Sequence, residues 1–292
     1  IALMVFLAAC GARTIVDDTT TETGMHSTLM ITEDSMPLMA YFDKTDRVIK
    51  LAFCDDGKCN HPEIVVIDDQ GAVGQYPSIA LDGAGNPILS YYDMTGKSLK
   101  LAFCQDAACS QIEYVSVEDP SSEKYGEYNS LVLNSQGFPV VSYYDADNEN
   151  LNLLVCRDAQ CADYVTTVVD DSEEVGKATS LALNDQDFPV ISYFDDEKAY
   201  LKAAICQDPT CDQDPTIRFF ASGQAESGEF NDIVLDDEGR PMIAYHYYDG
   251  STDPARGAVM ILHCVDAQCS DVTNVTVDDK KASELGSYTS MT

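Results

Sequence analysis

The chain contains no tryptophan and few basic residues: 17 Lys and Arg stand against 50 Asp and Glu in 292 residues, a net charge of −33. So few cations cannot displace phosphate counterions, which excludes nucleic acid as a partner. Anionic lipid head groups are repelled for the same reason. The four histidines, His26, His61, His246 and His263, have neither metal-ligand nor triad spacing. Without Trp the chain lacks the largest stacking surface for a sugar, although 16 Tyr remain. The apolar run at residues 1–10 is too short to span a bilayer.

A hydrophobic content of 45% marks a globular chain rather than a disordered acidic tail. The acidic surface attracts cations and basic partners. Solubility, or a saline medium, would explain it equally well.

Ten of the eleven cysteines form five pairs of one spacing, each reading C-x-D-x-x-C: Cys54/Cys59, Cys104/Cys109, Cys156/Cys161, Cys206/Cys211 and Cys264/Cys269. Zinc needs four converging ligands, whereas each pair here stands alone in its own repeat. Five local disulfides are the simpler expectation, and they place the protein in an oxidising, extracytoplasmic compartment. The Asp inside each pair is expected to bond loop amides. Cys10 has no partner among these ten. It ends the apolar run Leu7-Ala8-Ala9-Cys10, which resembles the lipobox of bacterial lipoproteins and marks Cys10 as the lipidation site. An ordinary secretory signal with an incidental cysteine is the alternative. The missing basic n-region and initial Ile suggest a cut N-terminus.

Internal repetition carries the fold. Repeats span 24–73, 74–125, 126–175, 176–227 and 228–285. Each holds four strand-sized segments rich in β-branched and aromatic residues, with turn residues between them. Asp82, Asn134, Asn184 and Asp236 begin turns, and Gly85, Gly137 and Gly239 follow where positive φ is expected. Asp187 and Ser35 take that place in the other repeats. The second segment is apolar at consecutive positions, as in Val140-Val141-Ser142-Tyr143-Tyr144, which suits a sheet buried on both faces. The expectation is an all-β propeller of four-stranded blades, about 50 residues each, formed by residues 14–292. Residues 286–292 match a first strand and 14–23 a fourth, so six blades is the first choice and five the second; an open array is the non-propeller alternative.

The unit G-x-Y-x-S-[IL]-[AV]-[LI]-[DN]-x-x-G-x-P-x-[IV]-S-Y-[YF]-D, followed by C-x-D-x-x-C, resembles a repeat of bacterial secreted and surface proteins. Those are broadly sialidase-like (BNR-like) propellers, mostly of unassigned function. A sialidase would carry an arginine triad on inner strands and an Asp-box ending in Trp. None of the six arginines here falls on a first strand and Trp is absent, so sialidase activity is not expected.

No catalytic residue is legible among 50 carboxylates. One functional site should break the repeat, and the fifth unit breaks it most, with His246, Tyr248 and Arg256 as candidate ligand-binding residues around an enlarged loop. A tolerated surface insertion is the bland reading. Asp43, Asp93, Asp145, Asp195 and Asp249 end second strands, and acidic pairs such as Asp68-Asp69 end fourth strands. On one face they would form an acidic ring, a candidate site for Ca2+ unless it is only a solvated rim. The expected function is a non-catalytic surface or secreted module, meeting a protein or glycan partner and touching membrane only through Cys10. The alternative is a carbohydrate-active propeller enzyme, a glycoside hydrolase or lyase other than a typical sialidase.

Overall fold

The computed structural model describes residues 16–17, 22–220, 226–249 and 256–280. Within them, five four-stranded antiparallel sheets follow one another along the chain, each with its strands in sequence order. Blade 1 is β1 (Thr23–Ile31), β2 (Pro37–Asp43), β3 (Val48–Phe53) and β4 (Glu63–Asp68). Blade 2 is β5 (Val73–Leu81), β6 (Pro87–Asp93), β7 (Ser98–Cys104) and β8 (Ile112–Ser116). Blade 3 is β9 (Tyr125–Leu133), β10 (Pro139–Asp145), β11 (Asn150–Cys156) and β12 (Tyr164–Asp170). Blade 4 is β13 (Val175–Leu183), β14 (Pro189–Asp195), β15 (Tyr200–Ile205) and β16 (Thr216–Phe220). Blade 5 is β17 (Glu226–Leu235), β18 (Pro241–Asp249), β19 (Arg256–Cys264) and β20 (Val272–Lys280).

The fold is thus an all-β propeller of five blades, the second choice from sequence rather than six. The segments 14–15 and 286–292, assigned to a sixth unit, lie outside the described residues, as do Cys10 and the rest of residues 1–10.

Turn chemistry sets the strand boundaries. Asp82 Oδ1 accepts from the amides of Ala84 and Asn86, both at 2.8 Å, and Asn134, Asn184 and Asp236 repeat the device. Gly85, Ser35 and Asp187 take positive φ in that turn, as their spacing requires. A proline then opens every second strand, where a missing donor is tolerated. Each cysteine pair closes the mouth of the third hairpin as a disulfide, with Cα atoms 4.7 to 5.0 Å apart. The intervening Asp bonds loop amides as expected: Asp106 Oδ1 accepts from Ala108 and Ser110, both at 3.0 Å.

Four hydrophobic cores lie between successive blades, with Tyr91, Tyr143, Tyr193 and Tyr245 in them. The blades meet closely at their inner strands. A Cβ on Gly228 (φ +104°) would come within 2.7 Å of Leu201 Cβ on the preceding blade. A Cβ on Gly24, at the same place in blade 1, would meet nothing within 4 Å among the described residues. Leu29 agrees: it is 53% exposed, whereas its counterparts Ile79 and Leu131 are 8% and 5% exposed. Among the described residues, blade 1 therefore shows a face that the other blades bury.

A polar lock joins the blades. Asp68, at the end of β4, accepts from Tyr91 Oη (2.8 Å) and Lys100 Nζ of blade 2. Asp170 does the same for Tyr193 (2.6 Å) and Lys202 (2.8 Å) of blade 4. Asp17 occupies this role for Tyr41 (2.7 Å) and Lys50 (3.3 Å) of blade 1, although residues 16–17 are not in a strand.

Candidate functional site

Each inner strand carries a register shift against its neighbour, between Gln75 and Ser78 in β5 and at the matching places in β1, β9, β13 and β17. A bulge re-aims a side chain. Here it brings His26, Tyr76, Tyr128, Ala178 and Phe230, one per blade, around a shared central depression. His26, Tyr76 and Tyr128 hold φ of 48°, 53° and 53°, a conformation costly for aromatic residues and found where the surroundings impose it.

Three of these rings form a contiguous platform. His26 and Tyr76 have centroids 4.3 Å apart, and Tyr76 and Tyr128 4.4 Å. Tyr144 continues it edge-on at 6.2 Å from Tyr128, with Lys177 Nζ 5.7 Å from the Tyr144 centroid. Across the depression Phe230 contacts His246 at 6.1 Å, and His246 stacks on Tyr248 at 6.4 Å. One mouth encloses about 500 Å³, and Glu229, Asp196 and Lys177 line it among the rings. Lys177 and Asp196 form an ion pair. The opposite mouth, about 490 Å³, is polar, lined by Ser78, Ser130, Ser180 and Asp232 among others.

Electrostatics follow burial. Burial holds the His26 imidazole below its usual 6.5, so it is neutral at pH 7. Burial first, then Tyr128 and Glu127, push the Tyr76 phenol well up, and burial pushes Tyr144 up to about 12. The platform therefore presents neutral rings beside a rim of carboxylates.

The position two residues after the bulge holds Ser78, Ser130 and Ser180 in blades 2 to 4, and each hydroxyl accepts an amide of the next blade, as Ser78 Oγ does from Leu131 N at 3.0 Å. Blade 5 has Asp232 there, in contact with Ser180 Oγ at 2.6 Å. This break in the repeat is on the inner strand, where searching for departures from the unit would have found it. Glu229 and Asp196 gave no such signal, because acidic residues are everywhere in the sequence.

Of the candidate ligand-binding residues, His246 and Tyr248 adjoin the depression through Phe230, and Arg256 opens β19 opposite Asp249. Residues 250–255 of the enlarged loop, and the Arg256 side chain, lie outside what is described. The five candidate metal residues do not form a solvent-facing ring. Asp43, Asp145 and Asp195 are buried, and they cap their own hairpins: Asp43 Oδ1 accepts from Thr45 N (2.9 Å), Asp145 Oδ1 from Asp147 N (3.0 Å) and Asp195 Oδ1 from Lys198 N (2.8 Å). Asp93 caps its turn likewise, through Thr95 N at 2.8 Å. Asp249 stands apart, because β18 is two residues longer and Tyr247 takes the place of the aspartate. Among the described residues no group of three or more His, Cys, Asp or Glu is arranged to hold a metal.

No family model and no curated protein matches the sequence. Solved structures do match in fold. An exo-β-1,3-galactanase from Clostridium thermocellum aligns with 96% of this chain and 68% of its own, at 10% identity and a TM-score of 0.54. An exo-β-1,3-galactanase from Phanerochaete chrysosporium, with galactose, aligns with 90% of this chain and 69% of its own, at 10% identity and a TM-score of 0.51. A GH43 β-1,3-galactosidase with galactodeoxynojirimycin covers 88% and 95%, at 8% identity and a TM-score of 0.52. At such identity the likeness is one of fold. It corrects the resemblance to sialidase-like, BNR-like repeats: the five-bladed architecture is shared with GH43-type enzymes. It also runs against the preference for a non-catalytic module and the leaning against an enzyme, because the structures that share this fold are named as carbohydrate-active enzymes.

Proposed function

We propose that this protein is a carbohydrate-active enzyme whose substrate enters the mouth of the central depression lined by Glu229 and Asp196. The observation that carries the reading is the platform of His26, Tyr76 and Tyr128 beside two carboxylates, Glu229 and Asp196, in one depression of about 500 Å³. Aromatic faces stack on the apolar faces of sugar rings, and cleavage of a glycosidic bond needs two carboxyl groups flanking it. Glu229 is the proposed proton donor to the leaving oxygen. Asp196, beside the Lys177 ammonium, is the proposed second carboxylate. Phe230, backed by His246 and Tyr248, walls the far side. The fold shared with β-1,3-galactan-cleaving enzymes supports the class and makes β-1,3-galactan the first substrate to try.

The five disulfides belong to an oxidising, extracytoplasmic setting. Anchoring through a lipid on Cys10 is the form of export we propose. An enzyme so placed meets polymers outside the cytoplasm.

The test is release of reducing ends from a panel of neutral polysaccharides, β-1,3-galactan included. We expect turnover of at least one polymer by the wild type and its loss in Glu229→Gln. Binding without turnover across the panel would overturn the enzymatic reading.

A further inference from the structure

The polar lock between blades is altered on both sides at the junction of blades 2 and 3; its lysine is also missing at the junction of blades 4 and 5, where Met260 faces Tyr245. Asp68 and Asp170 close the junctions of blades 1–2 and 3–4, each with a tyrosine and a lysine of the next blade. At the junction of blades 2 and 3, the place of Asp68 is taken by Glu118, which is exposed, and that of Lys100 by Asn152. The tyrosine is kept: Tyr143 faces Asn152 across β10 and β11, as Tyr91 faces Lys100 across β6 and β7. Tyr143 and Asn152 are 0% and 2% exposed, yet Tyr143 Oη and Asn152 Oδ1 make no hydrogen bond. Buried polar atoms without a partner cost free energy and point to something that satisfies them.

The charge here is also uncompensated. In blades 1 and 4 the lysine reaches the aspartate that ends its own second strand: Lys50 to Asp43 at 2.7 Å, and Lys202 to Asp195 at 3.4 Å. Asp145, their counterpart in blade 3, is 1% exposed and has Asn152 where they have lysine. Its carboxylate accepts from Asp147 N, Asn148 N, Ser122 Oγ and Asn148 Nδ2, all neutral donors. Burial pushes the Tyr143 phenol up, the adjacent Asn152 side chain draws it down, and Asp119 and Asp145 add a smaller upward push.

We propose that Tyr143 Oη, Asn152 Oδ1 and the Asp145 carboxylate bind a monovalent cation of the sodium–potassium class, in the position that a lysine ammonium fills at the sister junctions. The ligand set suits it: a carboxylate, an amide carbonyl and a phenol offer oxygens only, and such oxygens can replace the hydration shell of a hard cation. One positive charge restores the balance that Lys50 and Lys202 supply elsewhere. All three ligands belong to blade 3, so the cation sits on that blade's own β10 and β11, facing its junction with blade 2.

The experiment is thermal unfolding of the intact protein in choline chloride, NaCl, KCl and CaCl2 at matched ionic strength. The wild type should gain a saturable rise of about 2–4 °C in NaCl or KCl over choline, the shift expected for roughly 1 kcal/mol of ligand linkage in a chain of this size. Asn152→Lys carries its own ammonium, so it should melt in choline where the wild type melts with the cation, and should show no further rise. Tyr143→Phe adds no volume and keeps the fold's packing. It should shift the half-saturating cation concentration upward by several-fold. Equal responses in wild type and both variants would show that the salts only screen the surface charge. No difference between choline and the alkali cations would leave water as the partner of these oxygens and sink the proposal. A response to Ca2+ alone would overturn the monovalent assignment.

Discussion

Tyr193 of blade 4 donates its phenolic hydrogen bond to Asp170 of blade 3 at 2.6 Å, with both side chains buried between the blades. Lys202 reaches the same carboxylate oxygen at 2.8 Å. Removing the carboxylate leaves a buried ammonium with only Asp195, at 3.4 Å, as an ionic partner. We expect Asp170→Ala to cost about 3–5 kcal/mol and Tyr193→Phe about 1–2 kcal/mol. Urea denaturation checks both; equal small losses would mean that packing alone holds the junction.

The same carboxylate sets a pH dependence. Burial would raise the Asp170 carboxyl, but bonds from Lys202, Ser172 and Tyr193 outweigh it and hold it below its usual 3.8. The unfolded chain therefore binds this proton first as pH falls. The stabilisation is complete above the unfolded value and is lost as pH drops through the lower folded one. Melting temperature followed between about pH 2 and 6 should fall more steeply for wild type than for Asp170→Asn. Parallel profiles would remove Asp170 from the acid limb.

His26 shifts the balance in another window. Its imidazole is held neutral by burial, so below 6.5 the unfolded chain takes up the proton more readily than the folded one. Stability should fall from about pH 6.5 downward, and His26→Asn should flatten that limb. An imidazole titrating at its free value, read by NMR, would contradict the burial argument.

The platform rings are expected to act on substrate rather than on the fold. Tyr128→Ala should raise KM about tenfold, the loss of one stacking contact, with kcat less affected. The Glu229→Gln variant should instead lower kcat by about 10²–10⁴. Glu123, exposed on a loop between blades 2 and 3, serves as the control that changes neither. A Tyr128→Ala enzyme with unchanged KM would place the sugar elsewhere.

The disulfides are local braces. Non-reducing peptide mapping should return Cys54–Cys59, Cys104–Cys109, Cys156–Cys161, Cys206–Cys211 and Cys264–Cys269. Replacing one pair, as in Cys104→Ser with Cys109→Ser, should cost about 2 kcal/mol, because the loop it closes is short.

The four-stranded unit, its turns, its disulfide hairpins and the all-β class were legible in the sequence because they depend on neighbours within a few residues. Asp82, Gly85 and Pro87 determine one turn by their own chemistry, and Cys104 can meet Cys109 without help from the rest of the chain. Tertiary structure alone decided the number of blades, the open face at Leu29 and the central depression. His26, Tyr76, Tyr128 and Phe230 lie about 50 residues apart and meet only because the inter-blade cores set the inner strands side by side. The aspartates ending second strands read as a charged ring because sequence gives their spacing and not their burial. Packing turned Asp43 and Asp195 toward lysines of their own blades, and a hairpin two residues longer set Asp249 apart from them.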